Sequence, residues 1–337
     1  MKPILHGQQL RIGYGSQTVA GPFDVSLQAG ELVGLLGRNG SGKSTLLRTL
    51  AGLQDAVGGT IYLGDQPLDE LSAQELATHL SVVLTNPPPT GPLSVRELVA
   101  LGRYPYTGWL GRLSAEDHRH VQQALELTGT ERWAKLPVDQ LSDGERQKVM
   151  IARAVAQDTP LVLLDEPTAH LDLINRVEIM RLLRRLAHET HKAMFLSCHE
   201  LDLALQTCDR LALLLPDGSL HVDAPEALIL NGTFERAFVA DAHHIEFDRQ
   251  RGTFNVRETT GQRIRITGEA TTVYWTRKAL ERIGFQINNE ARGIPEVQCD
   301  SWLHWTLRNP DGTTEEFAEL QKLLSHLQPD RHEKRNT

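Results

Sequence analysis

The sequence predicts an α/β fold built on a mainly parallel sheet, followed by a small α+β domain. Apolar strand-like runs at residues 32–36, 161–164, 193–197 and 211–215 are separated by helical segments. Such alternation is typical of parallel strands joined by helical crossovers. A block at residues 94–156 looks almost wholly helical. We therefore expect a helical insertion in the sheet.

The N-terminal part of the chain, residues 4–36, is predicted to form short strands. A Gly-Pro pair at 21–22 and an Ala-Gly pair at 29–30 are expected to break these strands. The run at 32–36 then leads into a glycine-rich loop, so the last of these strands is expected to end at that loop.

Helices are predicted at several points between the strands. One is expected near 43–53 and another over about 172–190. Ser72 and Ser114 are each followed three residues later by an acidic residue, which is a capping-box pattern at a helix start. Consecutive prolines introduce the helical block, which we place at about residues 87–156.

The pattern changes after residue 240, and we place a domain boundary near 241. Residues 245–266 alternate in strand fashion, 272–283 look helical, 285–307 look strand-like and 314–327 look helical. This order is typical of an α+β domain. We expect residues 241–337 to act as a regulatory or dimerising domain.

Three tryptophans of this tail, Trp275, Trp302 and Trp305, allow two interpretations. They could form a platform for a ligand, or they could pack in the domain core. Aromatic residues in a small domain usually serve the core, so the second interpretation is favoured at this point.

The composition describes an ordinary globular protein, with 337 residues, 40% hydrophobic and 23% charged. A net charge of −8 argues against a nucleic-acid binder. The three cysteines lack metal-ligand spacing, which favours reduced thiols in a cytosolic protein. The sequence has no apolar run long enough to span a bilayer, so work at a membrane would need a partner that spans it.

The strongest motif is the segment Gly37-Arg-Asn-Gly-Ser-Gly-Lys43-Ser44, a complete phosphate loop between a strand and a helix. Its glycines let backbone N–H groups approach phosphate oxygens at a helix N-terminus. We expect Lys43 to neutralise the β- and γ-phosphates of ATP and the Ser44 hydroxyl to bind Mg²⁺. An ordinary glycine turn is the alternative, which the flanking elements disfavour.

A second motif is the apolar strand at 161–164 that ends in Asp165 and Glu166. An aspartate in this position usually holds the metal of a phosphate-loop site. Glu166 is placed to act as the general base that polarises the attacking water. A strand that simply ends in two solvated acids is the alternative interpretation.

A third motif, Leu141-Ser142-Asp143-Gly144-Glu145, lies at a predicted helix start. It resembles the LSGGQ signature of ABC ATPases, whose serine and glycine amides bind the γ-phosphate held by the opposite subunit. Asp143 replaces a glycine and Glu145 replaces the glutamine of that motif. The same residues form a capping box, which is an alternative role that is compatible with phosphate binding.

Further landmarks of the ABC family follow in order. By resemblance, Tyr14 stacks on adenine, Asp172 belongs to the D-loop that crosses to the other subunit, and His199 is the switch histidine that contacts the γ-phosphate. With Glu166, the resemblance makes Lys43 and His199 catalytic. The predicted ATP-binding residues are Tyr14, Gly37, Arg38, Asn39, Gly40, Ser41, Gly42, Lys43, Ser44 and Thr45.

One landmark is missing. ABC ATPases carry a glutamine after a strand like 79–84, and this chain has Thr85 there, followed by Asn86. Thr85 is therefore a further candidate Mg²⁺ ligand beside Ser44 and Asp165. A threonine is shorter than glutamine, so Asn86 or a water is expected to complete the link.

The resemblance covers residues 4–240. It implies a P-loop NTPase fold: a RecA-like core with antiparallel β and α-helical subdomains. It further implies an ABC ATPase domain at 1–240 that binds ATP and Mg²⁺ and works as a homodimer. Integral membrane permease subunits and, indirectly, a substrate-binding protein are the implied partners, and the cytoplasmic face of the inner membrane is the implied location.

The segments 95–106 and 111–117 resemble the ATPases of importers for iron–siderophores, haem and vitamin B12. An importer ATPase of this type is therefore the expected function. A soluble ABC ATPase acting in assembly or repair is the alternative, and a P-loop kinase for a small molecule is a third class. The kinase would have no use for the signature loop.

Overall fold

The computed structural model describes residues 2–85, 92–108, 111–239, 245–249, 252–256 and 261–328. The chain separates into two compact units, Met1–Ala240 and Asp241–Thr337. None of the helices in the described ranges is both long and apolar enough to cross a membrane.

The strands alternate with helices along the first unit. Its strands are β1 (Leu5–Tyr14), β2 (Gln17–Leu27), β3 (Leu32–Gly37), β4 (Gly58–Leu63), β5 (Gln66–Pro67), β6 (Leu80–Val83), β7 (Leu161–Leu164), β8 (Ala193–Ser197), β9 (Arg210–Leu214) and β10 (Leu220–Asp223). Its helices are α1 (Lys43–Leu50), α2 (Ala73–His79), α3 (Val95–Ala100), α4 (Ala115–Thr128), α5 (Asp143–Ala156), α6 (Leu173–Thr190), α7 (Leu201–Thr207), α8 (Pro225–Leu230) and α9 (Thr233–Phe238).

The central sheet has the strand order β10-β9-β3-β8-β7-β6. All neighbouring pairs are parallel except β9 and β10, which are antiparallel. Every residue of β3, β7 and β8 is buried, as expected for parallel strands covered on both faces, and this explains their continuous apolar runs. The predicted parallel α/β sheet is confirmed.

A second sheet, antiparallel and with the order β2-β1-β4-β5, forms from the N-terminal strands. The predicted break at Gly21-Pro22 is wrong, because β2 runs through both residues. Gly21 lies so close to β1 that a Cβ atom there would come within 2.3 Å of the Leu10 carbonyl oxygen. The glycine therefore serves strand packing and not a turn.

The helical block contains α3, α4 and α5 but is less helical than predicted. Short 3₁₀ turns at Leu101–Tyr106, Glu131–Trp133 and Val138–Gln140 separate the helices, where prolines and glycines interrupt regular hydrogen bonding. The predicted helix starts at Ser72 and Ser114 are confirmed, since each serine caps its helix in a complete capping box.

The second unit contains β11 (Ile245–Asp248), β12 (Thr253–Val256), β13 (Arg263–Gly268), α10 (Ala270–Arg282), β14 (Gln286–Ile287), β15 (Glu296–Ser301), β16 (His304–Arg308), β17 (Thr314–Phe317) and α11 (Leu320–Leu327). Strands β11 and β12 form a hairpin, and the other strands form a sheet ordered β14-β13-β15-β16-β17. The two helices α10 and α11 supply the apolar partners of that sheet.

The prediction that 314–327 is helical throughout is wrong for its first part. Residues 314–317 form β17, which pairs antiparallel with β16. Two glutamates in this segment favour a helix by local propensity, but backbone pairing to the adjacent strand outweighs that preference. Helix α11 begins only after this edge strand ends.

Candidate functional site

The phosphate loop connects the carboxyl end of β3 to the start of α1. Gly40 and Gly42 have φ values of +79° and +106°, which side-chain-bearing residues rarely adopt. A Cβ atom at Gly40 would meet open space, so its role is to shape the backbone of the loop. The left-handed turn at Gly42 leads directly into the first residue of α1.

Lys43 is buried under this loop, with 6% of its surface exposed. Its Nζ donates to the carbonyl oxygens of Gly37 at 2.9 Å and Arg38 at 3.2 Å. Burial lowers the pKa of Lys43 below its ordinary value, and the nearby carboxylates of Glu166 and Asp165 oppose that shift. A desolvated ammonium beside the loop is suited to neutralising a polyphosphate, whose charge would strengthen its protonated form.

The Ser41 hydroxyl is buried and makes no hydrogen bond with the described residues. Buried hydroxyl groups are almost always paired in native structures. This unsatisfied donor therefore fits a loop that holds a phosphate oxygen. Ser44, three residues further on, is exposed at the first turn of α1.

Asp165 and Glu166 follow β7 and lie next to the end of β8. The Ser197 hydroxyl donates to Asp165 Oδ1 at 2.8 Å and accepts the backbone N–H of Glu166 at 2.8 Å. Glu166 itself has a left-handed φ of +46°, a strained conformation that is concentrated at functional sites. One hydroxyl thus fixes the positions of both acids.

His199 lies two residues beyond β8, and its Nε2 is 2.7 Å from Glu166 Oε1. The histidine and the carboxylate are therefore directly paired. The fold brings the two predicted catalytic residues together because β7 and β8 are adjacent parallel strands, whose carboxyl ends meet at one sheet edge.

Thr85 also lies at this edge, where its hydroxyl donates to the Asp165 carbonyl oxygen at 2.9 Å. The Asp165 N–H donates in turn to the Val83 carbonyl. The hydroxyl proton of Thr85 is therefore committed to the backbone, and a metal would have to use the remaining oxygen lone pair. Asn86 lies outside the described residues.

Tyr14 stands at the mouth of the site with 59% of its surface exposed. Its hydroxyl is 3.0 Å from Thr45 Oγ1, which ties the end of β1 to α1. An exposed aromatic ring held beside the loop is suited to stacking on a base.

A cavity of about 390 Å³ lies between the phosphate loop, Tyr14 and the Glu166–His199 pair. This volume is typical of a small-ligand pocket. The signature residues are not among the described residues that line it. Those lining residues are Tyr14, Val19, Asn39, Gly40, Gly42, Lys43, Ser44, Thr45, Glu166 and His199.

The signature segment begins α5, with Ser142 as its N-cap. The Ser142 hydroxyl is 2.7 Å from Glu145 Oε2, and the Ser142 N–H donates to the same oxygen at 2.9 Å. These bonds hold the pKa of Glu145 below its ordinary value. Asp143 lies 3.7 Å from Arg146, and the charges of Arg132 and Lys148 act on Glu145, so both unusual acids have basic neighbours.

The signature segment packs against the start of α6 at Gly144, and Asp172 caps that helix. A Cβ atom at Gly144 would come within 2.6 Å of the Asn175 side chain, so the glycine allows close packing of the two helices. Asp172 caps α6 by accepting the Asn175 N–H at 2.8 Å and the Asn175 side-chain amide at 3.1 Å. Leu141 is buried, whereas Ser142 and Asp143 are exposed.

We call the group formed by Asp165, Glu166 and His199 at the carboxyl ends of β7 and β8 the acid edge. Sequence reasoning missed four residues that position this group. Besides Ser197, these are Glu200, Thr168 and Arg176. Glu200 accepts the Thr168 hydroxyl at 2.8 Å and lies 3.3 Å from Arg176. The position of Ser197 and Glu200 beside His199 in the sequence was the available signal, but their partners become evident only in the folded chain.

Comparisons with known proteins assign a family to both units. The ABC transporter family model matches residues 21–169, and the model of the iron ABC transporter C-terminal domain matches residues 260–328. Sequence reasoning gave the tail no motif, and the second match shows what residues 260–328 are similar to.

Two relatives and one solved structure illustrate the similarity. The achromobactin transport ATP-binding protein CbrD of Dickeya dadantii is 38% identical over 234 residues, which cover 69% of this chain and 87% of that protein. The iron(3+)-hydroxamate import ATP-binding protein FhuC of Bacillus subtilis is 39% identical over 200 residues, with coverages of 59% and 74%. A post-hydrolysis dimer of an ATP-binding cassette with bound ADP and Pi is similar with a TM-score of 0.55 and 27% identity, covering 66% of this chain and 98% of that one.

The predicted P-loop NTPase fold agrees with the cassette structures. The phosphate loop, the paired acids and the switch histidine lie at one sheet edge, and residues of the loop line one cavity together with Glu166 and His199. On this geometry and these similarities, the chain belongs to the ATP-binding subunits of ABC transporters and is an ATP hydrolase.

Proposed function

We propose that this chain is the ATPase of an importer for iron–siderophore complexes. The observation that carries the enzymatic part is the cavity that Lys43 of the phosphate loop lines together with the Glu166–His199 pair. Soluble ABC factors would share that cavity, so the transport part rests on the relatives and on the iron-type C-terminal domain.

ATP binding uses the groups of the phosphate loop. The backbone around Gly40 and Gly42 surrounds the phosphates, the Ser41 hydroxyl donates to a phosphate oxygen, and Lys43 exchanges its backbone carbonyl partners for the β- and γ-phosphates. Tyr14 stacks on the adenine. Ser44 and Asp165 would hold Mg²⁺, which neutralises phosphate charge when bound.

Hydrolysis uses the acid edge. Glu166 accepts a proton from the attacking water as the oxygen–phosphorus bond forms, and the bond to the β–γ bridging oxygen breaks to leave ADP and phosphate. His199 holds the Glu166 carboxylate and contacts the γ-phosphate. Ser197 keeps both acids in position while this occurs.

The signature segment completes the site from a second copy of the chain. It does not line the cavity of its own subunit, and Ser142 presents an exposed hydroxyl at a helix N-terminus, where anions are favoured. ATP would therefore draw a homodimer together and hydrolysis would release it. Asp172 at the start of α6 belongs to the same face.

The partners of this ATPase are integral membrane permease subunits and, indirectly, a substrate-binding protein. The chain would sit peripherally on the cytoplasmic face of the membrane. Relatives include the ferric enterobactin transport ATP-binding protein FepC of Escherichia coli, two petrobactin import ATP-binding proteins of Bacillus anthracis and the cobalamin import ATP-binding protein BtuD of Halobacterium salinarum. The similarity of residues 260–328 to the iron ABC transporter C-terminal domain supports iron chelates among these cargoes. Residues 241–337 are proposed to regulate or dimerise the subunit.

The test is uptake of labelled iron–siderophore, haem and cobalamin by cells that lack this protein. We expect loss of iron–siderophore uptake, restored by the wild-type chain and not by Glu166→Gln. Normal iron uptake with lost haem or cobalamin uptake would overturn the cargo assignment. Normal uptake of all three, together with failure to co-purify any membrane protein, would favour the soluble ABC factor.

A further inference from the structure

The C-terminal unit contains a cavity of about 500 Å³ that the ATP site does not use. It lies between the first half of α10, the turn that joins β15 to β16, and the junction of β17 with α11. Its volume is within the range of pockets that enclose small organic ligands. Its wall is mostly apolar, with a small number of polar groups, which is the usual composition of a ligand pocket.

Three of the five tryptophans of the chain line this cavity. Trp305 is buried, and its indole N–H donates to the Thr276 hydroxyl at 2.9 Å, so it forms a fixed inner wall. Trp275 and Trp302 are 63% and 74% exposed. Packing in the core explains Trp305, but it does not explain why two further indoles surround the opening.

The described lining of the cavity contains one acidic residue and no basic residue. Among the described residues that line it, only Glu319 carries a formal charge. Its partner Lys322 lies 2.8 Å away, but both side chains are more than half exposed, so this pair is weak and screened by solvent. No described lining residue is a lysine or an arginine.

The N-terminus of α10 does not make the cavity an anion site. Glu269 caps this helix by accepting the backbone N–H groups of Thr271 and Thr272. These bonds lower its pKa to about 2, so the carboxylate is ionised at neutral pH. It occupies the donors that would otherwise favour a phosphate or carboxylate ligand.

We propose that this cavity binds a small organic cation with an apolar body. The faces of aromatic rings attract cations, and tryptophan does so most strongly. The exposed faces of Trp275 and Trp302 would enclose the cationic group, Glu319 would balance its charge, and the apolar body would contact Leu303 and Trp305. The site is separate from the ATP cavity and needs no nucleotide.

The test uses the full-length protein and three probes of similar size: benzyltrimethylammonium, neutral benzyl alcohol and anionic phenylacetate. Binding is measured by calorimetry and by quenching of tryptophan fluorescence. We expect the cation to bind at least about tenfold more tightly than the alcohol and the anion to bind most weakly. Equal binding of all three probes, or no binding of the cation at millimolar concentration, would overturn the proposal.

Variants separate aromatic recognition from simple apolar contact. Trp302→Leu keeps apolar volume without an aromatic face, and we expect it to weaken cation binding about fivefold to tenfold. Glu319→Gln should weaken binding of the cation and leave binding of the alcohol unchanged. Tyr104→Ala and Glu290→Gln remove an exposed aromatic ring and an exposed charge elsewhere and should change nothing.

Because Trp302 lies on the surface, its replacement is expected to leave the fold intact, which thermal unfolding of each variant verifies. Unchanged cation affinity in Trp302→Leu, with an unchanged unfolding temperature, would contradict the assignment.

Discussion

The two halves of the proposed ATP site differ in how far their polar groups are already satisfied within one chain. In the phosphate-loop half, the Ser41 hydroxyl is buried with no partner among the described residues. In the signature half, the Ser142 hydroxyl is paired with Glu145, and Asp172 is paired with Asn175. The first half therefore offers phosphate an unpaired hydroxyl, although Lys43 must still exchange its two carbonyl partners. In the second half, the serine hydroxyl itself must give up an internal bond when it meets phosphate across a dimer.

Because of this difference, we expect the two halves to control different steps. Groups of the first half and of the acid edge determine binding and the chemical step, because they lie together at one sheet edge. Groups of the signature half determine whether closure is favourable, because each new bond to phosphate replaces an existing bond. Substitutions should therefore separate hydrolysis from dimer closure.

The largest effect is expected for Glu166→Gln. Loss of a general base lowers the rate by about 10²–10⁴-fold, whereas glutamine preserves the shape of the side chain and leaves ATP binding intact. We expect near-complete loss of phosphate release and a dimer that persists with ATP, measured by light scattering. Glu116→Gln, an exposed acid in α4, is the control and should behave as wild type. A monomer under these conditions would contradict the shared site.

Ser142→Ala tests the other half and should produce the second largest effect. A hydrogen bond to a charged group contributes about 1.5–3 kcal/mol. The homodimer contains two such bonds, so ATP-driven dimerisation should weaken at least about 100-fold. The change also removes a helix cap, which costs about 1 kcal/mol of folding stability.

Ser72→Ala is the matched control for that cap, because Ser72 begins α2 in the same capping box. Both variants should lose similar stability in thermal unfolding, but only Ser142→Ala should lose dimerisation and ATP hydrolysis. Equal loss of activity in both variants would show that the effect is one of folding and not of phosphate contact.

Ser197→Ala tests the positioning of the acids. Its hydroxyl makes two hydrogen bonds to the Asp165–Glu166 segment, and a net contribution of about 0.5–1.5 kcal/mol for each predicts a decrease in kcat of several-fold to about 100-fold. The KM for ATP should change little, because Ser197 does not line the cavity. Ser81→Ala, which removes a buried hydroxyl from β6 on the other side of β7, should leave kcat unchanged.

The contrast between the halves also explains what the sequence could predict. Lys43, Asp165, Glu166 and His199 follow strands in a recognisable order, and adjacent parallel strands bring such residues to one edge whatever the rest of the chain does. Ser197 has no motif of its own, and its role depends on the pairing of β7 with β8. Local patterns also predicted too much helix, because cross-strand pairing determined residues 314–317.

In the C-terminal unit, too, the sequence predicts the order of the elements better than it predicts the contacts of their side chains. The order of its elements was largely predictable from hydrophobic periodicity, but the position of its tryptophans was not. Trp275, Trp302 and Trp305 are separated by up to thirty residues in the sequence. Only the fold of α10 against β15 and β16 shows that one is in the core and that the other two border a cavity.

The smallest effect is expected for Glu145→Gln, which removes a negative charge from the signature half. Glutamine can still accept the Ser142 hydroxyl, so the cap is retained, while the repulsion of the incoming γ-phosphate decreases. An exposed charge interaction is worth about 0.2–1 kcal/mol at each of the two sites, which predicts ATP-driven dimerisation about 2–30-fold tighter than that of the wild type. Because salt screens exposed charges, the gain should shrink as ionic strength rises.

Glu75→Gln, at the same position of the α2 capping box, should produce no gain. Weaker dimerisation of Glu145→Gln would mean that the carboxylate itself supports closure, and the two halves would then be more alike than their hydrogen bonds indicate.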